Sequence, residues 1–189
     1  NIFLSSGNGN SQGSGKITIK SSNSNAGSGQ IDLKSGNAFS GDSGRFQLKS
    51  GIAAVNSGNI DLSVGQSAGM AGDIILQAGV SKEQTGGAIS ASTGKGGSYS
   101  GGISISTANQ GTSASSGNIL LKTGTAINAK SGSIKLVTGN TIAGDAGSIS
   151  VQAGSSIDGK GGSINLKASD SEGSTGGQIA LRSGAGRQE

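Results

Sequence analysis

Apolar and polar side chains alternate in short stretches that recur along the whole chain. Each stretch reads Gly-x-Ile-x-Leu-x-(Ser/Thr/Ala)-Gly, and its first apolar position returns after 14 to 16 residues. A fixed period of this kind indicates a repeat architecture, in which each unit is one small structural element. After Ile2, the first apolar positions, which we expect to stack as a ladder of core residues, are Ile17, Ile31, Phe46, Ile60, Ile74, Ile89, Ile103, Ile119, Ile134, Ile149, Ile164 and Ile179.

The alternation within each stretch predicts a β-strand. Residues 16–20 and 163–167 show it clearly, with Ile or Leu at every second position. Side chains of a strand point alternately to its two faces, so the apolar residues would share one face. A glycine stands two residues before each of these twelve ladder positions and predicts a turn there. These turn glycines are Gly15, Gly29, Gly44, Gly58, Gly72, Gly87, Gly101, Gly117, Gly132, Gly147, Gly162 and Gly177.

The rest of each unit consists mainly of Gly, Ser, Ala and Asn, which are small enough to form a thin return side below the strands. The pattern therefore predicts an all-β fold, a parallel β-solenoid of about thirteen repeats of about 15 residues with one repeat per coil. The spacing leaves one alternative open, in which two repeats make one coil and two Ile/Leu sheets face each other. Frequent glycine argues against helices.

The ends of the chain carry no segment that would cap a solenoid. The sequence starts inside a unit at Asn1 and stops shortly after Gly184. Because uncapped end coils expose strand edges, we expect residues 1–189 to form a single uncapped solenoid array. Such an array is either a segment of a longer chain or a filament subunit that associates with further copies end to end.

Composition excludes most kinds of chemistry. Gly and Ser supply 74 of the 189 residues, and the chain contains neither Cys nor His. Disulfides, zinc fingers and nucleophilic triads require those residues, and the acidic residues lack the regular Asp of calcium-binding nonapeptides. We therefore expect no catalysis, no cofactor and no metal site. No apolar run approaches the roughly 18 residues of a membrane span.

Two sets of polar strand positions are candidates for binding a surface. Lys20, Lys34 and Lys49 occupy the same place in consecutive units, and with a net charge of +4 they favour an anionic polysaccharide. Ser104 and Ser106 belong to a short row of hydroxyls suited to ordering water at an ice surface. Solubility is the alternative interpretation of both sets. Nucleic acid is not expected, because aromatic residues for stacking on bases are only 2% of the chain.

The unit Ser-Gly-Asn-Ile-x-Leu-x-(Ser/Thr)-Gly occurs at residues 116–124, and at 57–65 with Val64 at the small position. It resembles the tandem repeats of Gly/Ser-rich β-solenoid cell-surface proteins of microalgae and protists. The resemblance covers the whole chain and implies a secreted or surface-exposed structural protein without an active site. We expect a stiff rod, stalk or stacked filament outside the cell or at its surface. The alternative function is a binding module, in which a flat solenoid face adheres to ice or to anionic polysaccharide.

Overall fold

The computed structural model describes residues 1–9, 13–109 and 115–186, and within these ranges the chain forms neither a helix nor a β-strand. The predicted all-β fold is therefore wrong, and so is the β-solenoid or β-helix in both forms, with one repeat per coil or with two. The chain divides into two units, Asn1–Ala91 and Ser92–Glu189. The sequence repeat continues through both units, so the single uncapped array stays a prediction, without the solenoid geometry.

Each repeat consists of a seven-residue apolar segment followed by a loop of seven to nine residues. We number the apolar segment from its turn glycine at position one, with apolar side chains at positions three and five and a small residue at position seven. All insertions and deletions fall in the loops. The complete apolar segments are 15–21, 29–35, 44–50, 58–64, 72–78, 87–93, 101–107, 117–123, 132–138, 147–153, 162–168 and 177–183.

Sharp bends of the backbone occur only in the loops of the described ranges. They repeat with the period of the sequence, whereas the apolar segments run without a bend. The bends lie at 25–26, 39–41, 54–55, 68–69, 82–84, 97–98, 127–129, 142–144, 157–159 and 172–174. The Gly-rich part of each unit therefore turns the chain, but it does so inside the loop. None of the twelve turn glycines, where the sequence predicts a turn, lies at a bend.

Hydroxyl side chains hold several of these bends. The Oγ atoms of Ser81 and Ser156 accept hydrogen bonds from the amides of Gln84 and Gly159, both at 2.9 Å. Thr141 does the converse, since its Oγ1 donates to the carbonyl of Ala143 at 2.9 Å. Ser and Thr compete in this way for local backbone groups and favour turns over regular structure. Some of the serines thus stabilise the bends of the loops.

The two ends of each loop meet at a narrow neck, which we define as the contact between a turn glycine and the position-seven residue before the loop. A Cβ on the glycine would lie only 3.2 to 3.6 Å from a side-chain carbon of that residue. Gly58 is the exception among the twelve turn glycines. The pairs are Gly15–Ser6, Gly29–Ser21, Gly44–Ser35, Gly72–Val64, Gly87–Ala78, Gly101–Thr93, Gly117–Thr107, Gly132–Thr123, Gly147–Thr138, Gly162–Ala153 and Gly177–Ala168.

Backbone hydrogen bonds close five of the necks. In each, the amide of the turn glycine donates to a carbonyl seven or eight residues earlier, at 2.8 to 3.4 Å. The donors are Gly15, Gly87, Gly101, Gly162 and Gly177, and the acceptors are Gly7, Gly79, Gly94, Gly154 and Ser169. A solenoid requires the backbone to pair with the next coil. These five bonds join the ends of loops, and no backbone hydrogen bond joins one apolar segment to another across the described repeats, so no sheet forms there.

No side chain of the described residues is buried, so the predicted core is missing there. The twelve residues expected in the core ladder, Ile17 to Ile179, are each 46–64% exposed. The Ile, Leu and Val residues at position five are more exposed, at 57–85%. The least exposed residues are the small ones at the necks, among them Thr107, Thr123 and Ala153.

Candidate functional surface

The apolar segments present regular rows of hydrophobic side chains to solvent. Position three carries Ile or Phe and position five carries Ile, Leu or Val in nearly every unit. Isolated apolar residues on a surface are ordinary, but a contiguous or repeated apolar patch indicates a site of association. The loops contribute fewer apolar residues, generally one at most, and those side chains are more exposed, as at Phe39 and Ile157.

A cluster of two cations lies on the polar positions of segment 44–50. With its amide oriented so that the oxygen faces them, Gln47 accepts hydrogen bonds from Lys49 Nζ at 3.1 Å and from Arg45 Nη2 at 3.2 Å. These residues are two apart in sequence, a spacing that puts side chains on the same side of an unbent chain. The neutral amide satisfies one donor of each cation without reducing their combined charge.

The preceding apolar segment, 29–35, arranges the same three polar positions differently. Gln30 Nε2 donates to the Asp32 carboxylate at 2.6 Å. Asp32 therefore has its contact with a neutral neighbour. Lys34, at position six of this segment, is exposed.

Charge is distributed unevenly between apolar segments and loops. The apolar segments carry nine Lys or Arg and three Asp, whereas the loops carry four Lys and six Asp or Glu. The segments are therefore basic and the loops acidic. Cations concentrate at position six, where they occur in six units as Lys20, Lys34, Lys49, Lys122, Lys167 and Arg182. Every one of these side chains is exposed.

The residues predicted to form a surface-binding ladder are all accessible. Lys20, Lys34 and Lys49 are exposed, and so are Ser104 and Ser106. Lys49 forms a hydrogen bond with another polar side chain, the amide of Gln47. Because the repeats do not stack as coils within the described ranges, they form no flat face there. Binding of ice or polysaccharide through these residues stays a prediction.

Sequence reasoning missed the loop necks and the Arg45–Gln47–Lys49 cluster. The necks have a sequence signal, since position seven is Ser, Thr or Ala in eleven of the twelve complete segments and Val64 in the other. A small residue before each loop and a glycine after it, repeated along the chain, indicate close approach of two chain segments. The cluster has a weaker signal, because only segment 44–50 combines cations at positions two and six with an amide at position four.

Several kinds of site are missing from residues 1–9, 13–109 and 115–186. The surface there has no pocket, and no group of three Asp or Glu is placed to hold a metal ion. No helix in this part of the chain has the length and hydrophobicity needed to span a membrane. The candidate for function is therefore the exposed surface of the repeats.

Comparison with known proteins identifies no relative of this chain. It matches no protein-family model, and no curated protein or solved structure is significantly similar to it. Function must accordingly be argued from the repeats themselves.

Proposed function

We propose that this chain is a structural repeat protein of the cell surface or extracellular matrix, which associates with further copies of itself through its apolar segments. The observation that carries the proposal is the periodic exposure of the apolar rows, with 46–64% of each position-three side chain accessible from Ile17 to Ile179. Burying an exposed Ile or Leu contributes about 1.5–3 kcal/mol. Removing these rows from water therefore favours association strongly.

A second copy is the occupant that fits the rows best. Each copy repeats the same seven-residue segment, so two copies offer matching rows at the same period of 14 to 16 residues. Basic segments and acidic loops also give each copy both signs of charge along its length. Opposite charges at the edge of an apolar contact favour one register over another and speed encounter. Repeated weak contacts then add up through multivalency.

The Gly/Ser content supports a hydrated structural role. Loops rich in Gly, Ser and Asn stay exposed to water when the apolar segments associate, so the surface of the assembly remains hydrated. The placement outside the cell rests on the resemblance of the unit to repeats of cell-surface proteins. The proposed role needs no catalysis.

The test compares two triple variants by sedimentation velocity over a range of protein concentrations. Ile134→Ser, Ile149→Ser and Ile164→Ser together remove three successive position-three side chains. The matched control changes the loop isoleucines of the same region, Ile127→Ser, Ile142→Ser and Ile157→Ser, which are at least 89% exposed.

The proposal expects the natural chain to form oligomers. The variant with three changes in the apolar segments should shift the midpoint of association to roughly tenfold higher concentration or beyond. The control variant should change that midpoint little. A natural chain that remains monomeric at all concentrations contradicts the proposal. An equal effect of both triple variants also contradicts it, because association would then follow total hydrophobicity and not the apolar segments.

A further inference from the structure

The Arg45–Gln47–Lys49 cluster gathers positive charge at one place on the surface. With the Gln47 amide oriented so that its oxygen faces both cations, Lys49 Nζ and Arg45 Nη2 donate to that oxygen at 3.1 and 3.2 Å. Two cations that share one acceptor lie close to each other, although like charges repel. A neutral amide oxygen is a weaker acceptor than an ionised oxygen, because charge-assisted hydrogen bonds are shorter and about twice as strong.

An oxyanion satisfies this cluster better than Gln47 does. A sulfate ester or a carboxylate accepts the same two N–H donors and also neutralises the charge that they share. Arg45 adds the planar guanidinium, which matches two oxygens of such a group. In segment 29–35, by contrast, a carboxylate of the chain itself occupies the middle polar position, as Asp32.

The other cations of the repeat indicate that the ligand is a polymer. Position six is basic in five further units, as Lys20, Lys34, Lys122, Lys167 and Arg182. These side chains recur along the sequence and are exposed. A single small anion engages one of them, whereas an anionic chain engages several at once and gains from multivalency.

Among anionic polymers, the residues favour a polysaccharide over nucleic acid. Single-stranded nucleic acid is bound by cations interleaved with aromatic side chains on which bases stack. Phe39 and Tyr99 lie in loops and not in the apolar segments that carry the position-six cations. Phe46 belongs to the apolar positions of its segment and not to the polar ones that carry Arg45 and Lys49.

We infer that Arg45, Gln47 and Lys49 form the main anion-binding centre of a surface that binds sulfated or uronate-bearing polysaccharides. The inference goes beyond self-association and does not depend on it. Within the same unit, the position-six cations Lys20 and Lys34 extend this surface along the chain. The sulfate and the carboxylate share the chemistry of the cluster, and the test below distinguishes them.

The test measures retention of the full chain on immobilised dextran sulfate, alginate and uncharged dextran, and its elution by rising NaCl. The cluster variant is Arg45→Gln with Lys49→Gln. The matched control, Lys82→Gln with Lys95→Gln, removes two loop cations and lowers the net charge equally. A further pair compares Gln47→Glu, which places a carboxylate between the cations, with Gln77→Glu in another apolar segment.

The inference expects retention on dextran sulfate, on alginate or on both, and the stronger of the two names the group. The cluster variant and Gln47→Glu should each bind roughly tenfold more weakly, as loss of charge-assisted hydrogen bonds implies, and their controls should bind within about twofold of the natural chain. Equal weakening by cluster and control variants overturns the inference, since net charge alone would then explain binding. Tighter binding to single-stranded DNA than to either glycan also overturns it.

Discussion

The amide of Gly162 donates a hydrogen bond to the carbonyl of Gly154 at 2.9 Å, and this bond closes the loop between two apolar segments. At the same neck a Cβ on Gly162 would lie 3.3 Å from the Cβ of Ala153. The bond and the contact together join the two ends of the loop to each other. Local closure of this kind costs little chain entropy, because the closed loop is short.

Amide hydrogen exchange should report the closed necks. Gly87, Gly101, Gly162 and Gly177 donate backbone hydrogen bonds of 2.8 to 3.1 Å, whereas Gly58 has no neighbour within 4 Å of where its Cβ would lie. Net hydrogen-bond energies of about 0.5–1.5 kcal/mol predict that the four amides exchange roughly 2- to 10-fold more slowly than Gly58 after correction for sequence. Nuclear magnetic resonance on the natural chain measures the rates. Equal corrected rates would mean that the necks do not hold in solution.

Substitution of Gly162 by Ala should open its neck. The added Cβ would lie 3.3 Å from the Cβ of Ala153 and 3.4 Å from the backbone nitrogen and oxygen of Gly154, so the two sides of the neck must separate by a few tenths of an ångström, which lengthens the bond at amide 162. We expect amide 162 to lose its protection. Gly154→Ala is the control in the same loop, because a Cβ there meets nothing within 4 Å. Loss of protection in both variants, or in neither, would contradict the steric explanation.

Serine substitutions in the loop between Ala153 and Gly162 test whether a hydroxyl group holds the bend. Ser156 Oγ accepts from the amide of Gly159 at 2.9 Å. Ser156→Ala should therefore speed exchange at amide 159 by roughly 2- to 10-fold. Ser155→Ala changes the same side chain one residue earlier and should leave that amide unaffected. If the two variants behave alike, the hydroxyl of Ser156 does not hold the bend.

Left-handed backbone at the bends is a further test of the loop geometry. Gly144 has a φ of 99°, and Asn128, at the corresponding bend one unit earlier, has a φ of 62°. Only glycine adopts such angles without strain, although Asn tolerates them better than most residues. Gly144→Val should disturb the chemical shifts of loop 139–146, while Asn128→Gly should leave loop 124–131 unchanged. The opposite order of effects would show that the angles are not retained in solution.

The repeat is visible in the sequence, but the sequence predicted turns at the twelve turn glycines and a sheet between the repeats, and the described residues show neither. Gly15 and the other turn glycines do stand where loops end, and the bends fall in the Gly/Ser-rich part of each unit. Alternation of apolar and polar residues, as at Ile17 and Ile19, describes which side chains share a side of the chain. It does not specify a partner for the backbone. Strand formation depends on that partner, and the backbone hydrogen bonds of the described residues join loop ends and not apolar segments.

The Arg45–Gln47–Lys49 cluster could be read only in part from the sequence. Its two cations and their spacing were visible, but the convergence of Lys49 and Arg45 on one amide oxygen depends on side-chain torsions that alternation does not fix. The neck contacts, such as Gly101 with Thr93, had a clearer sign in the restriction of position seven to small residues. That restriction is explained by steric contact with glycine.

Substitutions at Ile103 and Ser104 separate the structure described above from a solenoid. In a solenoid, Ile103 would be buried, and Asp at that position would unfold the surrounding coils at a cost of several kcal/mol. Here Ile103 is 60% exposed. We therefore expect Ile103→Asp and Ser104→Ala to give the same far-ultraviolet circular dichroism as the natural chain in dilute solution, without a cooperative thermal transition in any of the three.

Ile103→Asp should differ only at high concentration, where a charge within the apolar segments opposes association. A cooperative transition that Ile103→Asp abolishes and Ser104→Ala preserves would instead require a buried core at Ile103.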